Sequence, residues 1–178
     1  MSKLIIITGP SGSGKNSISK YLTDTYHIPR VITHTTRLPR TGERDQQNYY
    51  FETPESFSEL HLFEETQFNK QRYGSSQEGL LRAWDKNEVA SIILENEGAQ
   101  KYMQTLKCPK ILLYVTTPHN RKRMVARGDL LQQITQRLQQ SPQDVTLSPE
   151  LQKQAYVIHN NDWEQTKKQL DQLSYLFT

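Results

Sequence analysis

Cysteine occurs once in the 178 residues, at Cys108, so no intramolecular disulfide can form, and a reducing compartment such as the cytoplasm is the expected location. Long apolar runs are missing too. None exceeds about five residues, against about 20 for a helix that spans a bilayer, and the stretch behind Met1-Ser2-Lys3 is too short for a signal peptide. No membrane partner is expected. Charge of one sign is also scarce: 22 Lys and Arg against 19 Asp and Glu leave +3, which calls for no nucleic-acid partner. Hydrophobic residues make up only 34% and mean hydropathy is −0.78. Residues 4–7, 92–94 and 111–115 are nevertheless dense apolar clusters of the kind a buried sheet needs, which excludes a disordered chain. The length suits a single domain.

Charge is unevenly placed. Residues 52–66 carry five Glu and no Lys or Arg, while residues 107–137 carry seven Lys or Arg against Asp129 alone, so an acidic and a basic lobe are expected in one chain. Residues 3–8 read as a buried strand, followed by a glycine-rich turn and then Ile18, Tyr21 and Leu22 at helical spacing. Residues 30–33 read as a second short strand and 49–51 as another. Pro54-Glu55-Ser56-Phe57 opens a short helix. Residues 89–94 and 110–116 are further apolar strands, each followed by a polar helical stretch, and this alternation predicts an α/β fold with a mainly parallel sheet. Pro118 suits a first helical position in a helix that stops near Gly128. Another helix is predicted over about 130–140, a last strand over 156–158, and a terminal amphipathic helix through Trp163, Leu170, Leu173 and Leu176.

Gly9-Pro10-Ser11-Gly12-Ser13-Gly14-Lys15 has the spacing of a phosphate-binding loop. Small residues let backbone N–H groups close around an anion, the following helix adds its dipole, and Lys15 reaches the β- and γ-phosphates. The next residue is Asn16 where Ser or Thr is usual, so an amide oxygen, Ser17 or a water is expected in place of the hydroxyl that helps hold Mg²⁺. Downstream, Arg37-Leu38-Pro39-Arg40 sets two guanidiniums three apart on a stiff loop, suited to a phosphomonoester dianion. The apolar strand at 89–94 runs into Glu95, with Glu97 two residues on, an arrangement that aims an acid at Mg²⁺ and its waters beside a phosphate loop.

The loop at 9–15, then Thr33, Thr35-Thr36-Arg37, Pro39-Arg40, Gly42-Glu43 and Tyr49-Tyr50-Phe51 together resemble the guanylate kinase family. Glu64 followed by Tyr73-Gly74-Ser75 keeps the family's spacing, and the similarity extends to Asn160. The resemblance implies a three-layer P-loop kinase with a core of 1–32 and 82–178, a small GMP-binding lobe of 33–81 and a helical lid of about 118–140. It implies that ATP contacts Gly9, Pro10, Ser11, Gly12, Ser13, Gly14, Lys15, Asn16, Ser17 and Asn160. The GMP phosphate would be held by Arg37, Arg40, Tyr49 and Tyr73, and its guanine read by Thr33, Glu64 and Ser75, with Glu95 also facing GMP. The base chemistry agrees: a carboxylate accepts from guanine N1–H and N2–H₂ together, a hydroxyl donates to O6, and adenine offers the wrong pattern to both.

Arg123, Arg127 and Arg137 match the family's lid arginines, which with Lys15 and Arg37 would neutralise charge on the transferring phosphoryl group. Asn16 and Glu95 would bind Mg²⁺. The chain departs from the family in a shorter interval from Tyr49 to Glu64, in Asn48 where Asp is common, and in passing directly from Glu97 to Gly98. The implied activity is transfer of the ATP γ-phosphoryl group to GMP by a monomer or homodimer. One alternative is a related kinase acting on another phosphorylated acceptor such as ribose 1,5-bisphosphate, against which Thr35, Arg37, Arg40, Tyr49 and Glu64 argue. Another is a non-catalytic peptide-binding relative, disfavoured by Lys15 and the lid arginines. His27, His34, His61, His119 and His159 form no metal-ligand spacing and read as structural or surface residues.

Overall fold

The computed structural model describes residues 1–68, 70–126, 128, 131–138 and 146–177; in the helix at 131–138, the side chain of Arg137 is not described. Its centre is a parallel sheet of four strands, β1 (Lys3–Thr8), β6 (Val89–Ile93), β7 (Lys110–Thr116) and β8 (Ala155–His159), in the order β6-β1-β7-β8. Alternation along β1 divides the core. Leu4 and Ile6 join a cluster with Leu80, Ile92, Ala99, Tyr102 and Leu151 on one face. Ile5 and Ile7 join Ile18, Leu22, Leu113, Ile158 and Leu170 on the other. Both faces of β1 are therefore covered by helices, which is why its sequence is a continuous apolar run rather than an alternating one. Burying each such side chain contributes about 1.5–3 kcal/mol.

The helices supply the outer layers: α1 (Lys15–Tyr26), α3 (Gln77–Trp84), α4 (Asn96–Thr105), α5 (Asn120–Ala126), α6 (Leu131–Leu138), α7 (Pro149–Gln152) and α8 (Trp163–Gln172). α5 begins two residues after Pro118, and the terminal helix divides: α8 stops at Gln172 and a 3₁₀ turn covers Ser174–Leu176. The Tyr21 and Tyr26 hydroxyls both donate to Asp171, at 2.7 and 2.6 Å, tying α1 to α8.

The strand expected at 30–33 is reduced to one parallel bridge, Arg30 to Ser91, in which Val31 N–H donates to the Ser91 carbonyl at 2.7 Å. The chain leaves the core there because the next residues pair elsewhere. β2 (His34–Thr35) lies parallel to β3 (Tyr50–Phe51) and antiparallel to β5 (Gln71–Ser76), which pairs antiparallel with β4 (Leu62–Phe68), giving a second sheet in the order β3-β2-β5-β4. Between β3 and β4, α2 (Pro54–Ser58) starts in a capping box between Thr53 and Ser56. This small sheet contains most of the expected acceptor residues.

A buried polar chain fastens it to the core. His34 Nε2 lies 2.8 Å from Ser76 Oγ, and His34 Nδ1 lies 2.8 Å from Glu52 Oε1. Ser76 Oγ also accepts from Gly79 N–H and so caps α3. β2, the end of β3 and the start of α3 therefore meet on one imidazole, which Tyr50 covers by stacking at 4.9 Å. His34 is a structural histidine, as its lack of metal-ligand spacing implied.

Candidate active site

The loop between β1 and α1 is fixed by backbone geometry. Gly9, Gly12 and Gly14 have φ of 135°, 77° and 101°, in the left-handed region open chiefly to glycine. A Cβ at Gly9 would also strike the Val115 carbonyl, and one at Gly14 would strike the Asn160 amide. Gly14 caps α1, whose first turn contains no acidic residue, so its free N–H groups and dipole favour an anion. Lys15 Nζ lies over the loop, donating to the carbonyls of Gly9 at 2.5 Å and Pro10 at 3.3 Å.

Behind the loop is a clamp that the sequence did not suggest. The Ser13 carbonyl accepts from Asn160 Nδ2 at 2.7 Å and from Arg123 Nη1 at 3.2 Å, while Arg123 Nη2 donates to the Asn160 carbonyl at 2.7 Å. Thr166 Oγ1 lies 3.0 Å from Asn160 Oδ1, and Asn120 Nδ2 donates to the Ser11 carbonyl at 3.0 Å. Asn160 is buried and holds the loop's backbone from behind rather than presenting an open face. Arg123 likewise holds the loop and the strand end. Arg127 lies outside the described residues, and Arg137 is described only as part of the α6 backbone.

In the second sheet, Glu64 on β4 and Ser75 on β5 are cross-strand neighbours, and Ser75 Oγ donates to Glu64 Oε1 at 2.9 Å. Burial raises the Glu64 carboxyl above its usual range, with the Ser75 hydrogen bond opposing it. Arg37 forms a two-pronged pair with Glu43, 2.9 Å on each prong. Its guanidinium carbon lies 5.6 Å from the centre of the Tyr49 ring, and Tyr49 meets Tyr73 edge-on at 6.1 Å. Hydrogen bonding to Glu43 chiefly raises the Arg37 pKa, with a further contribution from Tyr73; the Arg37 pairing in turn lowers the Glu43 carboxyl. Arg37, Tyr49 and Tyr73 are thus brought together. Arg40 is exposed, with its own N–H donating to Glu43. Thr33 is half-buried on the approach to β2, where its carbonyl accepts from Tyr50 N–H. Glu43, which sets the Arg37 fork, had a sequence signal: an acid six residues after that arginine within the same motif.

At the carboxyl end of β6, Glu95 caps α4 with its carboxylate exposed and unbound to the helix. Thr8 Oγ1 donates to Asn96 Oδ1 at 3.0 Å, joining the ends of β1 and α4. Asn16 and Ser17 are exposed on the first turn of α1. These are hard oxygen donors of the kind Mg²⁺ accepts while keeping most of its waters and phosphate ligands. No three His, Cys, Asp or Glu side chains gather into a metal-ligating group among the described residues.

Residues 1–175 match the family model for guanylate kinase. A guanylate kinase of Prochlorococcus marinus is 32% identical over 96% of this chain and 95% of that protein. One of Synechococcus sp. is 31% identical over 97% of this chain and 82% of its own length. The crystal structure of guanylate kinase from Anaplasma phagocytophilum superposes with a TM-score of 0.65 at 20% identity, covering 98% of this chain and 85% of that one, which supports the same fold. With the phosphate loop, the second sheet and these relatives in agreement, the chain belongs to the guanylate kinase family.

Proposed function

We propose that this chain transfers the γ-phosphoryl group of ATP to GMP, giving ADP and GDP, with GMP held by the second sheet and ATP by the loop at 9–15. The observation that carries the reading is the Glu64–Ser75 pair, in which a half-buried carboxylate has a hydroxyl 2.9 Å away. Together they offer the acceptor and donor that guanine requires and adenine contradicts. Arg37, Tyr49 and Tyr73 form a cationic, hydroxyl-lined corner for the GMP phosphate, with exposed Arg40 joining it on binding.

Lys15 turns from its loop carbonyls to the β- and γ-phosphates. The GMP phosphate is already an anionic nucleophile, so no protein base is needed, and the work is in-line positioning and neutralisation of charge. Arg123 contributes by holding Ser13 and Asn160, while Arg127 and Arg137 are the lid cations. Asn16 and Glu95, with Ser17 adjacent, would hold Mg²⁺, which supplies charge neutralisation across the phosphates. The division into a core of 1–32 and 82–178, an acceptor lobe of 33–81 and a lid of about 118–140 follows from the same reading.

The test is an ADP-release assay with ATP·Mg²⁺ against GMP, dGMP, AMP, CMP, UMP and ribose 1,5-bisphosphate. GMP is expected to exceed AMP by about 10⁴ in kcat/KM. Turnover of ribose 1,5-bisphosphate without GMP turnover would reassign the acceptor, and ADP release with none of the six would exclude the kinase reading.

A further inference from the structure

Beneath the Glu64–Ser75 pair lies a third polar group that nothing above uses. Tyr102, on α4, is fully buried and among the largest wholly enclosed side chains, its ring tilted against Phe63 on β4 at 4.9 Å. Among the described residues its hydroxyl makes no well-formed hydrogen bond, and Ser75 is the neighbour near enough to act on it as a hydrogen-bond partner. A buried hydroxyl left short of a well-formed hydrogen bond is a net cost that a phenylalanine in the same space would avoid. Its immediate setting is the base-reading pair. Burial chiefly drives the phenol's pKa upward, Ser75 opposes that rise and the Glu64 charge adds to it. α4 also approaches Glu64 at Gly98, where an added Cβ would come within 3.5 Å of Glu64 Cγ.

The arithmetic of protons gives this hydroxyl a task. Ser75 has one hydroxyl proton, and it is donated to Glu64. Donating instead to a carbonyl such as guanine O6 turns that proton away from Glu64, and rotation of the hydroxyl re-aims the two acceptor lone pairs that Ser75 Oγ always carries. We propose that Tyr102 is a specificity-determining positioning residue, whose hydroxyl donates to Ser75 Oγ when Ser75 turns its own proton to the base carbonyl. The chain Tyr102 O–H to Ser75 O–H to base is then cooperative, each donor strengthening the next in a low-dielectric setting. The inference rests on the guanine reading of Glu64 and Ser75. It extends that reading from the strands that touch the base to a helix of the core.

The test uses the full chain and four variants: Tyr102→Phe, Ser75→Ala, the two combined, and Glu64→Ala. Tyr102→Phe keeps the ring, so its melting temperature is expected to equal or exceed the wild type's. Its KM for GMP should rise about tenfold, as expected for a lost buried hydrogen bond, with a smaller change in kcat and less than about a twofold change in KM for ATP. On the Ser75→Ala background the same substitution should add nothing, because the residue it acts through is gone. An unchanged KM for GMP in Tyr102→Phe, with Glu64→Ala still impaired, would overturn the proposal and leave the guanine reading standing. An equal loss on both backgrounds would overturn action through Ser75. A Glu64→Ala variant with wild-type GMP kinetics would remove the guanine reading and this inference with it.

Discussion

On the proposed function, the phosphate loop and the acceptor sheet solve the same problem, placing polar groups around an anion, by opposite means. At the loop the backbone does the work. Three positive-φ glycines, a strand enclosed on both faces and a helix start fix the N–H groups, and the supporting side chains, Asn120, Arg123 and Asn160, grip main-chain carbonyls from behind. In the acceptor sheet side chains do the work, and they do it in pairs: Arg37 with Glu43, Glu64 with Ser75, Arg72 with Glu65, His34 with Glu52 and Ser76. A backbone device depends on a short stretch of chain, whereas a pair device depends on register between strands. The loop should therefore fail as a unit, and the sheet one contact at a time.

The largest expected effect belongs to the loop. Lys15→Met removes the loop's own cation, which the proposed function sets on the phosphates, and should lower kcat by about 10³-fold, the upper end for loss of one charge-stabilising donor. GMP binding, measured by calorimetry, should be unaltered. Loss of GMP binding in this variant would break the comparison, because it would show that the two regions are not independent.

Next comes Glu64→Ala, which should raise KM for GMP by about 10²-fold and leave KM for ATP unchanged, since a base left without its charged acceptor loses several kcal/mol of pairing. Equal small effects on both substrates would reject Glu64 as the base reader. Because burial raises the Glu64 carboxyl above its reference of 4.5, the folded state holds that proton more tightly than the unfolded chain does. The contribution to stability is present in full below the reference value and is lost as pH rises through the folded one. Guanine needs the ionised form, so GMP affinity should climb with pH across that same interval. Glu64→Gln should abolish that part of the profile, measured against wild type so that the phosphate's own ionisation cancels.

The same contrast explains what could be read from the sequence. The loop, β1, β6, β7 and the α/β order were legible because continuous apolar runs and fixed glycine spacing are local signals. The hairpin of β4 and β5 was not, since its residues are Leu-Phe-Glu-Glu-Thr-Gln-Phe and Gln-Arg-Tyr-Gly-Ser-Ser, with polar site groups where an ordinary strand would show an apolar face. The strand expected at 30–33 failed for a related reason: the chain pairs once with β6 at Arg30 and then turns to a partner, β5, almost 40 residues away. Glu64 and Ser75 were identified by motif resemblance. Tyr102, Asn120 and Thr166 had no motif to betray them, because their roles arise from elements that meet only in the folded molecule.

A smaller effect tests whether pairing in the sheet is positional. Glu43→Gln keeps the shape of the Arg37 partner and removes its charge. The guanidinium fork should loosen and KM for GMP rise roughly fivefold, in line with loss of one charge-assisted pair. The lowered Glu43 carboxyl stabilises the fold above its reference of 4.5, and that stability is lost as pH falls through the depressed folded value. The variant should accordingly show less acid destabilisation in thermal melts. A fall in KM for GMP would mean that Glu43 competes with the phosphate instead of presenting Arg37 to it.

The smallest effect lies behind the loop. Thr166 is fully buried, and its hydroxyl lies 3.0 Å from Asn160 Oδ1 and 2.7 Å from the Asp162 carbonyl. With a single proton it can donate to only one of them at a time. Thr166→Val keeps the volume and removes the hydroxyl, so the Asn160 amide loses a neighbour that helps keep its Nδ2 on Ser13. Arg123 still holds the Ser13 carbonyl at 3.2 Å, and the loop should sag rather than collapse. KM for ATP should therefore rise about threefold, with a stability loss of about 1 kcal/mol, the ordinary worth of one buried hydrogen bond. Thr166→Ser, which restores the hydroxyl and gives up only a methyl group, should recover the ATP value. KM for GMP should not move in either variant, and a matching rise there would mean that the clamp behind Ser13 also bears on the acceptor sheet, so that backbone device and pair device are one mechanism.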